Sequence, residues 1–210
     1  MSTVFYIKAS PRIGRSHSIA VADAFVDAYT RNHPKDEIKV IDIFKKPLPA
    51  FDLAAATAKY KIMHGQEHSE QDRRIWAQIV SVIDEFKSAD KYVLAVPMWN
   101  FSIPYRLKQY IDIIVQPTYT FSVAKDGSYQ GLVKHKPIFV AYARGGEYRP
   151  GTNSDAFDLQ KKYLELILGF IGFTDIRSVV AEPTLAAGPD VAKQKQDGAI
   201  EEARQIAEEF

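Results

Sequence analysis

Two stretches of this chain, Val4 to Ala9 and Tyr92 to Val96, are apolar at almost every position rather than at alternate ones. A strand with one wet face alternates. A strand covered on both faces reads as a continuous apolar run, and such strands belong to parallel sheets flanked by helices. Pro137 to Ala143 and Ile176 to Ala181 read as further strands, while Ile38 to Ile43 alternates as a half-buried edge strand does. Between these runs lie segments of helical period. Ile19, Ala22, Val26 and Tyr29 mark Ser16 to Tyr29, and Ile75, Ile79, Val82 and Phe86 mark Ser69 to Lys87, where Ser69 and Asp72 have the spacing of a helix cap. Further helices are predicted from about Pro104 to Val115, from Ser154 to Gly169 and from Asp190 to Glu209, with a short one near Leu53 to Tyr60. Strands alternating with helices give right-handed crossovers and an α/β fold. The sheet order that puts the edge-like second run outside and the apolar first and third runs inside is 2-1-3-4-5. Thr118 to Leu132 reads as a hairpin excursion with Asp126-Gly127 at its turn.

At 210 residues, with 46% hydrophobic and 25% charged side chains, the chain fits one domain, 1–210, with a sizeable core. The net charge of +1 gives no electrostatic case for nucleic acid or an anionic membrane. The absence of cysteine excludes disulfides, thiolate nucleophiles and Cys-ligated metal centres, and is compatible with the cytoplasm, which is the expected location. No signal-peptide pattern opens the chain, and no window approaches the ~20 apolar residues of a membrane span. His64, Glu67, His68 and Glu70 do not form HExxH, so no metal site is expected.

In open α/β sheets ligands sit at the carboxyl ends of the strands. Three such ends are distinctive here. The first is Ser10-Pro11-Arg12-Ile13-Gly14-Arg15-Ser16-His17-Ser18, which carries hydroxyls into a helix start, where free N–H groups and the helix dipole favour a phosphate. No GxGxxG or GxxxxGK[ST] is present, so a dinucleotide fold of the Rossmann type and a P-loop are disfavoured. Alone, the segment reads first as an ordinary serine-rich turn capped by Ser16. The second is Pro97-Met98-Trp99-Asn100-Phe101, a flat apolar wall with one amide. An isoalloxazine needs that mixture, although core packing beside a proline turn reads the same way. Asn100, if buried, must be hydrogen-bonded. The third is Ala143-Arg144-Gly145-Gly146, whose consecutive glycines could offer backbone N–H groups to the electron-rich edge of a flavin, or form a plain flexible turn. Arg144 could assist, or lie on the surface.

With these loops in order, and with Leu168-Gly169-Phe170-Ile171-Gly172-Phe173 after them, nearly the whole chain resembles the FMN-dependent NADH-azoreductases, also described as NADH:quinone oxidoreductases, of the flavodoxin-like fold. The resemblance implies a three-layer sandwich with a five-stranded parallel sheet. It implies FMN with its phosphate at Ser10, Ser16, His17 and Ser18, its ring at Met98, Trp99, Asn100 and Phe101, and its pyrimidine edge at Gly145 and Gly146, beside Ala143 and Arg144. His17 stands where relatives often have an amide, and Ala143 where they often have a hydroxyl or amide. The implied activity takes hydride from NADH or NADPH and passes two electrons to a quinone or azo compound in two alternating steps, without a catalytic side chain. The implied assembly is a homodimer with the site at the interface, which the many apolar residues of Ile103 to Val115 would serve. A flavodoxin-type electron carrier is the alternative. Such carriers are usually strongly acidic, which +1 argues against.

Overall fold

The computed structural model of the chain describes residues 1–210. β1 (Thr3–Lys8) buries Val4 to Ile7, while β2 (Glu37–Asp42) is largely open to solvent. β3 (Lys91–Pro97) buries Tyr92 to Val96. Two short strands, β4 (Phe121–Val123) and β5 (Tyr129–Gly131), come next, then β6 (Ile138–Ala143), buried along its whole length, and β7 (Ile176–Ala181). The main sheet runs β2-β1-β3-β6-β7, and all its pairings are parallel. The expected numbering, 2-1-3-4-5, treated the excursion as lying outside the strand count. β4 and β5 pair antiparallel as a separate ribbon and take the fourth and fifth places in the chain. Asp126 accepts from the N–H of Ser128 at 3.0 Å and Gly127 has φ 83°, which turns the ribbon.

α1 (His17–Asn32), α2 (Leu53–Met63), α3 (Glu70–Lys87), α4 (Tyr105–Ile114), α5 (Lys161–Ile171) and α6 (Pro189–Glu208) complete the chain. α1 and α6 cover one face of the sheet. Phe25 of α1 stacks on Phe139 of β6 with ring centroids 4.0 Å apart. Ala199, Ala203 and Ala207, four residues apart on α6, are buried in the same cluster, and their small side chains let the two helices approach closely. The charge-rich final segment therefore has a buried alanine stripe opposite its solvated face. The other face carries α3, α4 and α5 with Phe86, Tyr92, Leu94, Val140, Leu164 and Phe173 in one core. Ser69 accepts from Asp72 N–H at 3.1 Å and Asp72 accepts from Ser69 N–H at 2.9 Å, a reciprocal cap on α3.

Two expectations fail. The helix predicted from Ser154 is a single 3-10 turn, Asp155–Phe157, and α5 begins only at Lys161. Asp158 and Gln160 turn inward in between, and both are buried. The apolar residues of Ile103 to Val115 are not surplus surface: Tyr110, Ile111, Ile113 and Ile114 are at most 5% exposed within the single chain. α4 lies in the core with Phe86, Val133, Leu164 and Leu168, so neighbouring elements cover the sides that the sheet does not. Of that stretch, Tyr105 alone is an exposed large apolar side chain.

The ribbon rests on the end of α5 through two glycines. Gly172 closes α5 with φ 118°, and a Cβ on Gly131 would fall 2.4 Å from the Cα of Gly172. Neither position can carry a side chain without backbone movement.

Candidate functional site

The loop after β1 leaves the sheet at Ala9, whose N–H still donates to Ala95 C=O at 2.9 Å. Ser10, 2% exposed, accepts from the N–H of Arg12 at 3.3 Å. A 3-10 turn over Ile13–Arg15 then delivers Ser16 to the N-cap of α1, where it accepts from Ile19 N–H at a long 3.5 Å. The hydroxyls of Ser16 and Ser18 lie 3.1 Å apart. His17 Nδ1 is paired with the side-chain amide oxygen of Gln196 on α6. That tie directs the imidazole toward α6, while the N–H groups of His17 and Ser18, being at the helix start, have no helical partner.

β3 ends in a tight reversal. Trp99 N–H donates to Ser102 C=O at 2.8 Å and Ser102 N–H returns a bond to Trp99 C=O at 3.0 Å. The two residues between, Asn100 and Phe101, have φ 46° and 68°. Both are left-handed, as a two-residue hairpin turn of the I′ type requires. Asparagine tolerates this region. Phenylalanine does not, and the strain costs on the order of 1–3 kcal/mol. Phe101 is held there by its C=O, which accepts from Leu159 N–H at 3.0 Å, and by its ring, 5.2 Å from that of Phe157. Asn100 is exposed, so its amide needs no partner within the chain; a turn this tight projects position 100 into solvent.

After β6 the chain passes through Arg144 into Gly145 and Gly146. Gly145 C=O accepts from Leu185 N–H at 3.1 Å and Ala186 N–H at 2.9 Å, while the N–H groups of both glycines make no hydrogen bond within the chain. Arg144 is neither on the surface nor aimed at a ligand. It is 3% exposed, and its guanidinium donates to Gln160 at 3.0 Å, Asp158 at 2.8 Å and Glu182 at 3.3 Å. Backbone direction explains this: Gly145 faces the open end of the sheet, and the preceding side chain therefore points back under it.

These loops enclose a cleft of about 290 Å³. Ser10, Ser16 and His17 line it from the first loop, Met98 and Trp99 from the second, and Ala143 and Gly145 from the third. Ser18, Asn100, Phe101, Arg144 and Gly146 from the predicted set do not line it. Ser18 is fully buried behind Ser16, and Gly146 is covered by Tyr148, whose hydroxyl would lie 3.2 Å from a Cβ there. Five lining residues escaped the sequence reading: Arg12, Arg15, Pro97, Thr184 and Leu185. Pro97, Arg12 and Arg15 stood inside the segments already singled out. Thr184 and Leu185 follow β7, and the rule that ligands gather at strand ends would have found them. Thr184 Oγ donates to Arg144 C=O at 2.8 Å, joining this fourth loop to the third.

The cleft contains two guanidinium groups, Arg12 and Arg15, and no carboxylate. Neither arginine forms an ion pair within the chain, and both are exposed. The first loop thus brings cations and hydroxyls, while the second and third bring flat apolar side chains and the unbonded N–H of Gly145. That polarity suits an elongated molecule with a phosphate at one end and an aromatic ring at the other. No group of three His, Asp or Glu side chains converges as a metal site, and no helix is long and apolar enough to cross a membrane.

Comparison with known proteins agrees in kind. The family model described as having a flavodoxin-like fold matches residues 2–207. The FMN-dependent NADH:quinone oxidoreductase of Nitratidesulfovibrio vulgaris, strain Hildenborough, is 56% identical over 210 residues, covering 100% of both chains. FMN-dependent NADH:quinone oxidoreductase 3 of Pseudomonas fluorescens is 36% identical and covers 100% of this chain and 98% of its own. Among solved structures, an azoreductase from Bacillus anthracis superposes with a TM-score of 0.91 at 30% identity, with 100% of each chain covered. An FMN-dependent NADH-azoreductase of the same species, in complex with FMN, gives a TM-score of 0.85 at 28% identity over 99% of this chain and 100% of that one. A sheet, a cleft and a full-length likeness of this kind have one reading: the chain belongs to the FMN-dependent NADH:quinone oxidoreductase family, within the flavodoxin-like fold.

Proposed function

We propose that the cleft binds FMN and that the protein is an NADH:quinone oxidoreductase that also reduces azo compounds. The observation that carries this is the unbonded N–H group of Gly145, a residue that lines one cleft with the hydroxyls of Ser10 and Ser16 and the guanidinium groups of Arg12 and Arg15; the N–H of Gly146, next in the chain, is unbonded as well. Ser10, Ser16, Arg12, Arg15 and the N–H groups of His17 and Ser18 would hold the phosphate. Met98 and Trp99 would support the ring, and Gly145 and Gly146 would donate to its pyrimidine edge. When bound, FMN supplies a carrier that takes hydride from the nicotinamide and gives two electrons to the acceptor.

The protein's own contribution is to orient and exclude. Pro97 and the turn at Asn100-Phe101 keep the wall rigid, and the donors at Gly145 and Gly146 are fixed before any ligand arrives, so they cost no reorganisation. NADH and the acceptor need the same open face, so they alternate. Trp99, Phe101, Phe157 and Leu185 are exposed at or beside the cleft. They support a homodimer closed over this mouth rather than over α4. The test is anaerobic titration of purified protein with NADH, followed by quinone or azo dye, with the released flavin identified by chromatography. FMN released, bleached by NADH and restored by the acceptor is expected. FAD, no flavin after reconstitution, or bleaching that no acceptor reverses would overturn the reading, and intersecting double-reciprocal lines would overturn the alternation.

A further inference from the structure

Arg144 directly precedes Gly145 in one cleft loop, and two of its partners reach two others: Gln160 by a hydrogen bond at the end of β3, and Glu182 by standing two residues before Thr184. Gln160, which accepts from Arg144, donates through its own amide to Val96 C=O at 3.0 Å, and Pro97, Met98 and Trp99 come next. Glu182, the second partner, directly precedes Pro183 and Thr184. Gly145 follows Arg144 itself. Asp158, the third partner, accepts from Gln160 N–H at 3.2 Å and Lys161 N–H at 2.9 Å, which fixes the start of α5. Glu182 also accepts from Tyr148 N–H at 3.0 Å, on the far side of Gly146. The group is closed to water, with side-chain exposures of 2% for Arg144, 7% for Asp158 and 14% for Glu182.

A lone buried guanidinium between two carboxylates is poor economy as a stabilising device, because desolvation offsets most of the attraction. Its distinctive property is geometric. A planar fork with donors in fixed directions sets the relative positions of whatever it binds. Here Arg144, itself at the end of β6, holds Glu182 at the end of β7 directly and the end of β3 through Gln160.

We propose that Arg144 is a positioning residue for the flavin reaction, clasping the ends of β3, β6 and β7 so that the Gly145 and Gly146 N–H groups meet the pyrimidine edge of FMN in fixed register. The inference rests on the FMN reading above. Donors at that edge stabilise reduced flavin more than oxidised flavin, because negative charge gathers there on reduction. Loosening the clasp therefore lowers the midpoint potential as well as the affinity, which a merely structural residue would not do.

The decisive variant is Arg144→Lys, which keeps the charge and loses the fork. FMN dissociation, midpoint potential, NADH kinetics and apoprotein melting are measured together. Expected are an FMN Kd raised about tenfold, the scale of one lost charge-assisted hydrogen bond, a lower midpoint potential, and a fall in kcat with KM for NADH little changed. Wild-type affinity and potential in Arg144→Lys overturn the proposal, as does a lower melting temperature with the potential unmoved. If Arg144→Lys does not fold, the neutral variant Arg144→Gln/Asp158→Asn/Glu182→Gln decides: it leaves no buried charge, and an unchanged potential there overturns the clasp. Arg177→Lys, at the opposite end of β7, serves as the control and leaves the potential unchanged. A wild-type protein that takes up no FMN overturns the underlying reading, and this one with it, and is recognised before any variant is made.

Discussion

Arg12 and Arg15 separate phosphate recognition from ring recognition, and the separation can be measured. Both guanidiniums are exposed and line the cleft with the hydroxyls of Ser10 and Ser16, and no carboxylate is among its lining residues. A phosphate monoester carries about −1.5 to −2 charge at neutral pH. Shielded charge-assisted hydrogen bonds contribute about 1.5–3 kcal/mol each, while exposed ion pairs contribute about 0.2–1 kcal/mol. These arginines are solvated on one side, so about 1 kcal/mol each is the appropriate scale, or about 2 kcal/mol for Arg12→Ala/Arg15→Ala together. At a factor of ten per about 1.4 kcal/mol, FMN affinity should fall roughly thirtyfold. Riboflavin has the same ring and no phosphate, so its affinity should not change. Screening shortens from about 8 Å at 0.15 M salt to about 3 Å at 1 M. Wild-type affinity for FMN should therefore weaken as salt rises, and that of the double variant much less. Quenching of flavin fluorescence on titration into apoprotein, at low and high salt, reads all four quantities. Equal loss for FMN and riboflavin would show that the arginines support the loop rather than the charge. Unchanged FMN affinity with a raised KM for NADH would assign them to the donor's pyrophosphate.

Other outcomes follow from particular residues. Ile114→Asp should abolish soluble folded protein rather than release monomers, because it buries an unpaired carboxylate in the core of a single chain; a well-folded monomeric variant seen by light scattering and circular dichroism would contradict the placement of α4. Phe101→Gly converts the turn to Asn-Gly, relieving a strain of about 1 kcal/mol or more while losing an aromatic contact worth about 1 kcal/mol. Apoprotein stability should therefore stay within about 1 kcal/mol of wild type while dye reduction falls, as denaturant unfolding and a turnover assay would show. Asp72 is held at about 2 by the N–H and hydroxyl of Ser69 and by Lys61. A depressed pKa contributes stability above the unfolded value, near 3.9, and loses it as pH falls toward 2. The melting difference between wild type and Asp72→Asn should thus be full at neutral pH and close between about pH 4 and 2, and a constant difference would reject the cap's ionic component.

The central strands and the loops at their ends were legible because double-sided burial leaves a continuous apolar run and because strand ends are where ligands gather. The capping pair on α3 was legible from local spacing alone. What was not legible depends on neighbours far along the chain. The start of α5 was placed too early because Asp158 and Gln160 are drawn in by Arg144, a partner at least 14 residues away in sequence. Ile103 to Val115 was read as surplus surface because its cover comes from α3, α5 and Val133, which no local pattern announces. The exposed Asn100 follows from a left-handed turn with a phenylalanine in it, a choice that local preference argues against.

The meeting of Gly131 and Gly172 has a different kind of consequence. Where two main chains touch without side chains between them, no compressible layer absorbs displacement. The ribbon of β4 and β5 is therefore keyed to α5 like a lever on a fulcrum. Lengthening or shortening its tip at Lys125 to Gly127 changes its reach without moving the pivot. A single methyl at either glycine shifts the whole arm. Changes in the ribbon's reach should accordingly be sought by engineering the tip, with residues 131 and 172 left untouched.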